Sequence, residues 1–269
     1  MEWGMRAFFT VKGRLRCSIA WMALCTGWAV MSACSGQTPA PASEAKAEAG
    51  PALVPGHYVT EKGWGHLDIV PSDSGLRFAL ETVTGEDICS LQGEIAGDRG
   101  TAAPEQGEAP CVVRFKAGVG GGIGVAPVTA TQCKTFCGYN GGFEGQYLSV
   151  PDTCSDAGLN AARQQFKNLY EARQHKPALE VLSPVFAKCL PTLTWEQEGE
   201  LRNDLAITQH HNGMDRQCLA TLAPYAEDAA KDDDAVMDAW PPALVDRYLS
   251  IVRSARTNLH LCQKGSGAQ

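Results

Sequence analysis

Cysteine is the residue type here with the widest chemical range, and two of the 11 cysteines lie four apart in CKTFCGYNGGF, residues 133–143. In a reducing compartment such a pair offers nucleophilic thiols or half of a metal site; in an oxidising one it becomes a covalent clip. As a redox motif, C-x-x-x-C is one residue longer than the thioredoxin type and lies in no βαβ pattern. Other chemistry-bearing residues are sparse. His210 and His211 adjoin at the expected C-terminal end of a helix, where positive charge complements the macrodipole, and as helix neighbours they cannot both face one metal. Asp232, Asp233 and Asp234 lack the glycine and distal glutamate of a calcium loop and read as a solvated helix start. GVGGGIGV, residues 118–125, misses the G-x-G-x-x-G spacing and reads as a glycine-rich β-turn. No H-E-x-x-H, G-x-S-x-G or G-x-x-x-x-G-K occurs. The expectation is therefore a protein that is not an enzyme and holds no metal and no cofactor.

The compartment decides what the thiols become. Arg6, Lys12, Arg14 and Arg16 precede IAWMALCTGWAVMSA, an apolar run ending in small residues, which is the layout of a secretory signal peptide over residues 1–33. VMSAC resembles the lipobox of bacterial lipoproteins, with Met31 where leucine is usual. That resemblance implies cleavage after Ala33 and lipidation of Cys34, with Ser35 directing the chain to the outer membrane, facing the periplasm. Plain cleavage to a soluble periplasmic or secreted form is the alternative. Residues 34–56 are dominated by Ala, Pro, Gly, Ser and Glu, and read as a lipid-anchored disordered tether.

Without residues 1–33, the 23 basic and 30 acidic residues fall to 19 and 29, a net charge of −10. Nucleic acid is thereby disfavoured as a partner, contact with a membrane is through the lipid anchor only, and a basic protein is a better match. Oligomeric state leaves no signal in the sequence.

The elements that must position these residues fall into two groups, an α+β organisation. Residues 57–151 read as an antiparallel β domain, a small barrel or sandwich, from HLDIV, LRFALETV, ICSLQGEI, CVVRFKA, IGVAPV and GQYLSV separated by turn signals. Residues 152–264 switch to helical periodicity, with residues 265–269 as a disordered tail. About five helices are expected, arranged as helical hairpins: one from Leu159 to Tyr170, then Pro177–Cys189, Trp195–His211, Asp215–Ala230 and Pro241–Cys262. KPALEVLSP at 176–184 and RQCLATLAP at 216–224 share a pattern at an offset of 40. The pair resembles a degenerate tetratricopeptide-type repeat, with Ala178 and Cys218 as the small residues that let helices approach.

Eight cysteines remain in the mature body: Cys89, Cys111, Cys133, Cys137, Cys154, Cys189, Cys218 and Cys262. An even number in an oxidising compartment reads as four disulfides. The helical topology brings Cys154 to Cys189 and Cys218 to Cys262. In the β domain the favoured pairs are Cys89 with Cys111 and Cys133 with Cys137, and crossed pairing is the rival.

CKTFCGYNGGFEGQYL, together with the upstream ICSLQGEI and CVVRFKA blocks, is similar to the disulfide-bearing β module of bacterial envelope lipoproteins, many grouped with lysozyme-inhibitor-like proteins. The resemblance implies a non-enzymatic protein that binds a basic cell-wall hydrolase or toxin, as an inhibitor or immunity protein. Lys134, Phe136, Tyr139, Asn140 and Phe143 are the candidate contacts, preorganised by the clip; alternatively Phe136 and Phe143 plug the barrel end. A scaffold or assembly lipoprotein acting through its helical repeats is the second expectation.

Overall fold

The computed structural model describes residues 52–104 and 107–267. The expected signal peptide, Cys34 and nearly all of the expected tether lie outside the described residues. Eight antiparallel strands follow one another in sequence order: β1 (Gly56–Thr60), β2 (Gly65–Ser72), β3 (Gly75–Thr84), β4 (Asp87–Ala96), β5 (Arg99–Ala102), β6 (Cys111–Ala117), β7 (Ile123–Pro127) and β8 (Gly145–Val150). β1 then pairs with β8, His57 opposite Val150 and Thr60 opposite Tyr147, so the sheet is a closed barrel and not a sandwich. Closure leaves no strand edge open. Six of the strands correspond to apolar runs in the sequence; β1 (GHYVT) and β5 (RGTA) are short, five and four residues.

Period-two alternation decides which side chains fill the barrel. Along β3, Phe78, Leu80 and Thr82 are buried while Arg77, Ala79, Glu81 and Val83 are exposed. Leu67, Leu80, Leu91, Val113, Phe115, Ile123 and Tyr147 are each 2 % exposed or less, so the interior is packed core, as an eight-stranded barrel of this size permits. Phe78 and Phe115 meet edge to face, with ring centroids 5.1 Å apart.

Helix α1 (Ala130–Cys133) sits in the connection from β7 to β8. After β8 the chain is helical: α2 (Asp156–Glu171), α3 (His175–Cys189), α4 (Trp195–His211), α5 (Asp215–Leu222), α6 (Ala226–Ala229), α7 (Asp233–Met237) and α8 (Val245–Gly267). Ser155 caps α2 through the Gly158 N–H, and Thr194 with Gln197 forms a capping box at α4. The fourth expected helix, to Ala230, is broken after Leu222. Pro224 has no N–H to donate and its ring crowds the preceding turn, so Ala223–Tyr225 tightens into a 3-10 turn before α6. The last helix starts at Val245, later than expected, and continues to Gly267, through the first residues expected as tail. Its apolar stripe faces inward: Val252, Ala255 and Cys262 are fully buried and Tyr248 nearly so.

The turn from α2 to α3 and the turn from α4 to α5 repeat each other at the same offset of 40 seen in the sequence. Gln174 N–H donates to Leu169 O at 2.9 Å, and Met214 N–H donates to Gln209 O at 2.9 Å. Each turn carries one left-handed residue, Arg173 (φ 58°) and Gly213 (φ 71°), of which only the glycine adopts it without steric cost. Ala178 and Cys218, the matched small residues, are both fully buried.

α4 and α8 meet across a polar bridge. Asn203 Nδ2 donates to Ile251 O and Gly199 O, and Asn258 Nδ2 donates to Asn203 Oδ1 at 3.0 Å, so both buried amides are partnered. The barrel touches the helices through the β1–β2 turn. Gly63 (φ +65°) lies so close that a Cβ there would stand 2.7 Å from Thr192 O and Thr194 N. Beside it Lys62 reaches Glu198 at 3.5 Å, and Glu198 is also held by Arg202 at 2.8 Å.

Candidate interaction surface

The connection between β7 and β8 contains CKTFCGYNGGF and is fastened to the barrel by two disulfides, Cys89–Cys137 and Cys111–Cys133. The favoured sequence pairing, Cys89 with Cys111 and Cys133 with Cys137, is therefore corrected to the crossed one. Strand order gives the reason. Cys89 lies on β4 and Cys111 on β6, with β5 between them, and two strand spacings come to roughly 10 Å where a disulfide tolerates about 7 Å between Cα atoms. Cys133 ends α1 under β6, where Thr129 Oγ1 accepts from the Val112 N–H at 2.7 Å; a 3-10 turn, Lys134–Phe136, then carries the chain across to β4. There Cys137 forms an antiparallel bridge with Cys89, with Cα atoms 4.0 Å apart.

Hydrogen bonds complete the fastening. Gly138 N–H donates to Ile88 O, Asn140 N–H donates to Asp87 Oδ2, and Thr82 Oγ1 donates to Gly142 O. Tyr147 OH, buried inside the barrel, donates to Phe143 O at 2.8 Å, and burial holds this phenol far above its ordinary pKa.

The five candidate contact residues separate under this geometry. Phe143 is 4 % exposed and belongs to the barrel core, so it is removed from the contact set; Phe136 is half-buried against the same core. Lys134, Tyr139 and Asn140 are exposed, and the Tyr139 side chain is 98 % exposed. Two further apolar residues join them. Val83 and Ile88 face each other across the tip of the β3–β4 hairpin, 48 % and 55 % exposed, with Glu86 and Asp87 in the same tip. Their signal was present in the alternation: if Phe78, Leu80 and Thr82 point inward, Val83 must point out. The surface is an apolar tip with an exposed phenol and an acidic border, held on a rigid barrel.

Other sequence features resolve into structural roles. GVGGG turns β6 into β7, with Gly120 and Gly121 at positive φ. Asp232 caps α7 through the Ala235 N–H, and Asp233 holds Arg256 at 3.0 Å and Arg253 at 2.6 Å. His210 and His211 diverge as helix neighbours must: His210 Nδ1 meets Asp215 at 2.6 Å, while His211 meets Tyr170 OH at 3.1 Å and stacks on His175 at 4.3 Å. The second candidate surface is a groove beside α2, α4 and α8. A cleft of about 370 Å³ is lined by Arg163, Glu196, Glu200, Asp204 and Arg247. Its charges are already answered from within: Arg163 binds both Glu200 and Asp204, and Arg247 binds Glu196. Burial raises the Asp204 carboxyl above its ordinary pKa although Arg163 pulls it down.

Compared with known proteins, the chain matches no family model, no curated protein and no solved structure.

Proposed function

We propose that this chain is a non-enzymatic envelope lipoprotein, anchored through Cys34 and facing the periplasm, that binds another protein through the disulfide-fastened loop. The partner class that best fits is a basic peptidoglycan-degrading enzyme of lysozyme type, with the chain acting as its inhibitor or immunity protein. One observation carries this reading: Tyr139 is 98 % exposed on a loop fixed by two disulfides, beside the exposed apolar pair Val83 and Ile88. A rigid exposed aromatic loses little entropy on docking, which is how such residues become binding hot spots. The net charge of −10 in the mature chain supports attraction to a basic partner, chiefly through the association rate.

The test is inhibition. Residues 35–269 are titrated against a panel of muramidases while lysis of cell-wall suspensions is followed. At least one enzyme is expected to be inhibited, and Tyr139→Ala to weaken that inhibition by about tenfold or more. No inhibition across the panel, or full inhibition by the Tyr139 variant, counts against the reading.

The scaffold reading rests on a different observation, the helix-pair turns repeated at the offset of 40 with matched hydrogen bonds. It assigns residues 152–264 to a degenerate tetratricopeptide-like arrangement and puts the partner in the groove lined by Arg163 and Glu200. Arg163→Ala would then abolish partner binding and Tyr139→Ala would leave it intact.

A further inference from the structure

Away from the tip that carries Tyr139, the wall of the barrel holds a trough. Along β1–β4 the residues that alternate with the core point outward in two cross-strand rows. In one, His57 stands opposite Asp68, Asp68 opposite Ala79 and Ala79 opposite Gln92; in the other, His66 stands opposite Glu81 and Glu81 opposite Ser90. Val59 belongs to the second row and is only 4 % exposed although it points away from the core. It gives the trough an apolar floor, and Ser155 and Asp156 at the start of α2 stand beside it, enclosing about 560 Å³. A second cleft of about 590 Å³ shares Ser90 and Gln92 with the first and continues to Glu108, Thr135 and Phe136. The two make one trough running from β1 across β4 to the fastened loop.

We propose that this trough seats an extended basic segment of the protein partner, about six residues of lysine- or arginine-rich chain laid across the strands. The inference rests on the partner being a basic protein. Charge is the main argument. Asp68, Glu81, Glu108 and Asp156 line the trough, and its lining contains no lysine or arginine. The basic groups in it are the imidazoles of His57 and His66. His57 Nδ1 meets Asp68 Oδ1, and Asp156 Oδ1 accepts from Gln197 Nε2 at 2.8 Å. Among the described residues, no lysine or arginine pairs with any of these four carboxylates.

Clefts on the helices differ in this respect. The one beside α2, α4 and α8 contains Arg163 and Arg247, the one along α2 contains Arg163 and Lys167, and the one around α7 contains Lys231 and Arg256. Their carboxylates are answered from within the chain. In the barrel trough, one sign of charge instead lines a concave wall open to solvent, an arrangement that focuses the field and draws in cationic groups.

Size and topology set the form of the occupant. From β1 to the strand beyond β4 there are about four strand spacings, roughly 19 Å, which an extended chain covers in about six residues. Because the barrel is closed, no strand edge is open for the segment to join, and side-chain charge must hold it in place of backbone pairing. The trough ends at Thr135 and Phe136, in the 3-10 turn that leads to Cys137 and Tyr139. A partner that covers Tyr139 can therefore lay such a segment along the wall in the same encounter.

The probe is a fluorescein-labelled hexa-arginine peptide titrated into residues 35–269, with anisotropy as the readout. One saturable site is expected. Glu81→Gln with Glu108→Gln, both exposed, should weaken it by about fivefold or more. Asp73→Asn with Asp238→Asn removes the same two charges from exposed positions outside the trough and should weaken it by less than about twofold. Equal weakening by the two pairs, or binding that does not saturate, overturns the proposal. So does a neutral chito-oligosaccharide that occupies the trough, losing affinity with Gln92→Ala, where the peptide does not bind. The muramidase titration separates this inference from the reading beneath it. Peptide binding that responds to the Glu81 and Glu108 pair with no enzyme inhibited upholds the trough and removes the hydrolase as its partner; an enzyme inhibited equally by wild type and by that pair removes the trough.

Discussion

Removing the outer of the two loop disulfides, by Cys89→Ala with Cys137→Ala, separates the covalent fastening from the contacts around it. Its sequence separation is 48, but the Cys111–Cys133 bond of separation 22 is nested inside it, so the segment newly freed is about 26 residues. In the chain-entropy model a loop of that length is worth about 3.5 kcal/mol. For a folded region of this size the melting temperature should fall by roughly 7–14 °C. Urea unfolding followed by near-UV circular dichroism reads the change. The companion variant Cys133→Ala with Cys137→Ala distinguishes the pairings. Crossed, it breaks both bonds and costs about 7 kcal/mol, comparable to the stability of a whole domain; paired in sequence order, it would break one four-residue clip worth about 2 kcal/mol. A loss below about 1 kcal/mol in the first variant, or near 2 kcal/mol in the second, would refute the nested arrangement.

Phe143→Ala should destabilise the barrel by about 3–5 kcal/mol while Tyr139→Ala, fully exposed, changes stability by less than about 0.5 kcal/mol; denaturation midpoints of the two variants check this, and equal losses would mean that the loop is seated differently. The pKa of His211 is lowered first by burial and then by His175 and His210, so the folded state favours the neutral ring. Its contribution to stability is therefore full above the unfolded value near 6.5 and is lost as pH falls through that value toward the lower folded one. Urea midpoints at pH 7.5 and pH 5 should differ more in wild type than in His211→Gln, and an equal difference in both would remove His211 as the cause.

What the sequence shows and what it hides divide along physical lines. Six of the eight strands were legible because period-two alternation and glycine-rich turns act locally, and GVGGG is the turn it resembles. Pairing of Cys154 with Cys189 and of Cys218 with Cys262 followed from helix connectivity. In the β domain the pairing depends on β5, RGTA, which is too short and glycine-rich to announce itself, yet its insertion between β4 and β6 keeps Cys89 from Cys111. Phe143 and Tyr139 carry no local sign of which is inside, since both lie in the same glycine-rich turn; the barrel interior decides it. Pro224 was visible as a breaker, and the consequence for the fourth helix was there to be drawn.

The claim that the fastened loop is the binding surface is tested most directly by a photo-reactive phenylalanine analogue in place of Tyr139, compared with the same analogue at exposed Lys167 on α2. After irradiation of intact cells, a cell-wall hydrolase cross-linked from position 139 and not from position 167 is the predicted result. Capture of a partner from position 167 alone would contradict the account and place the binding surface on the helices.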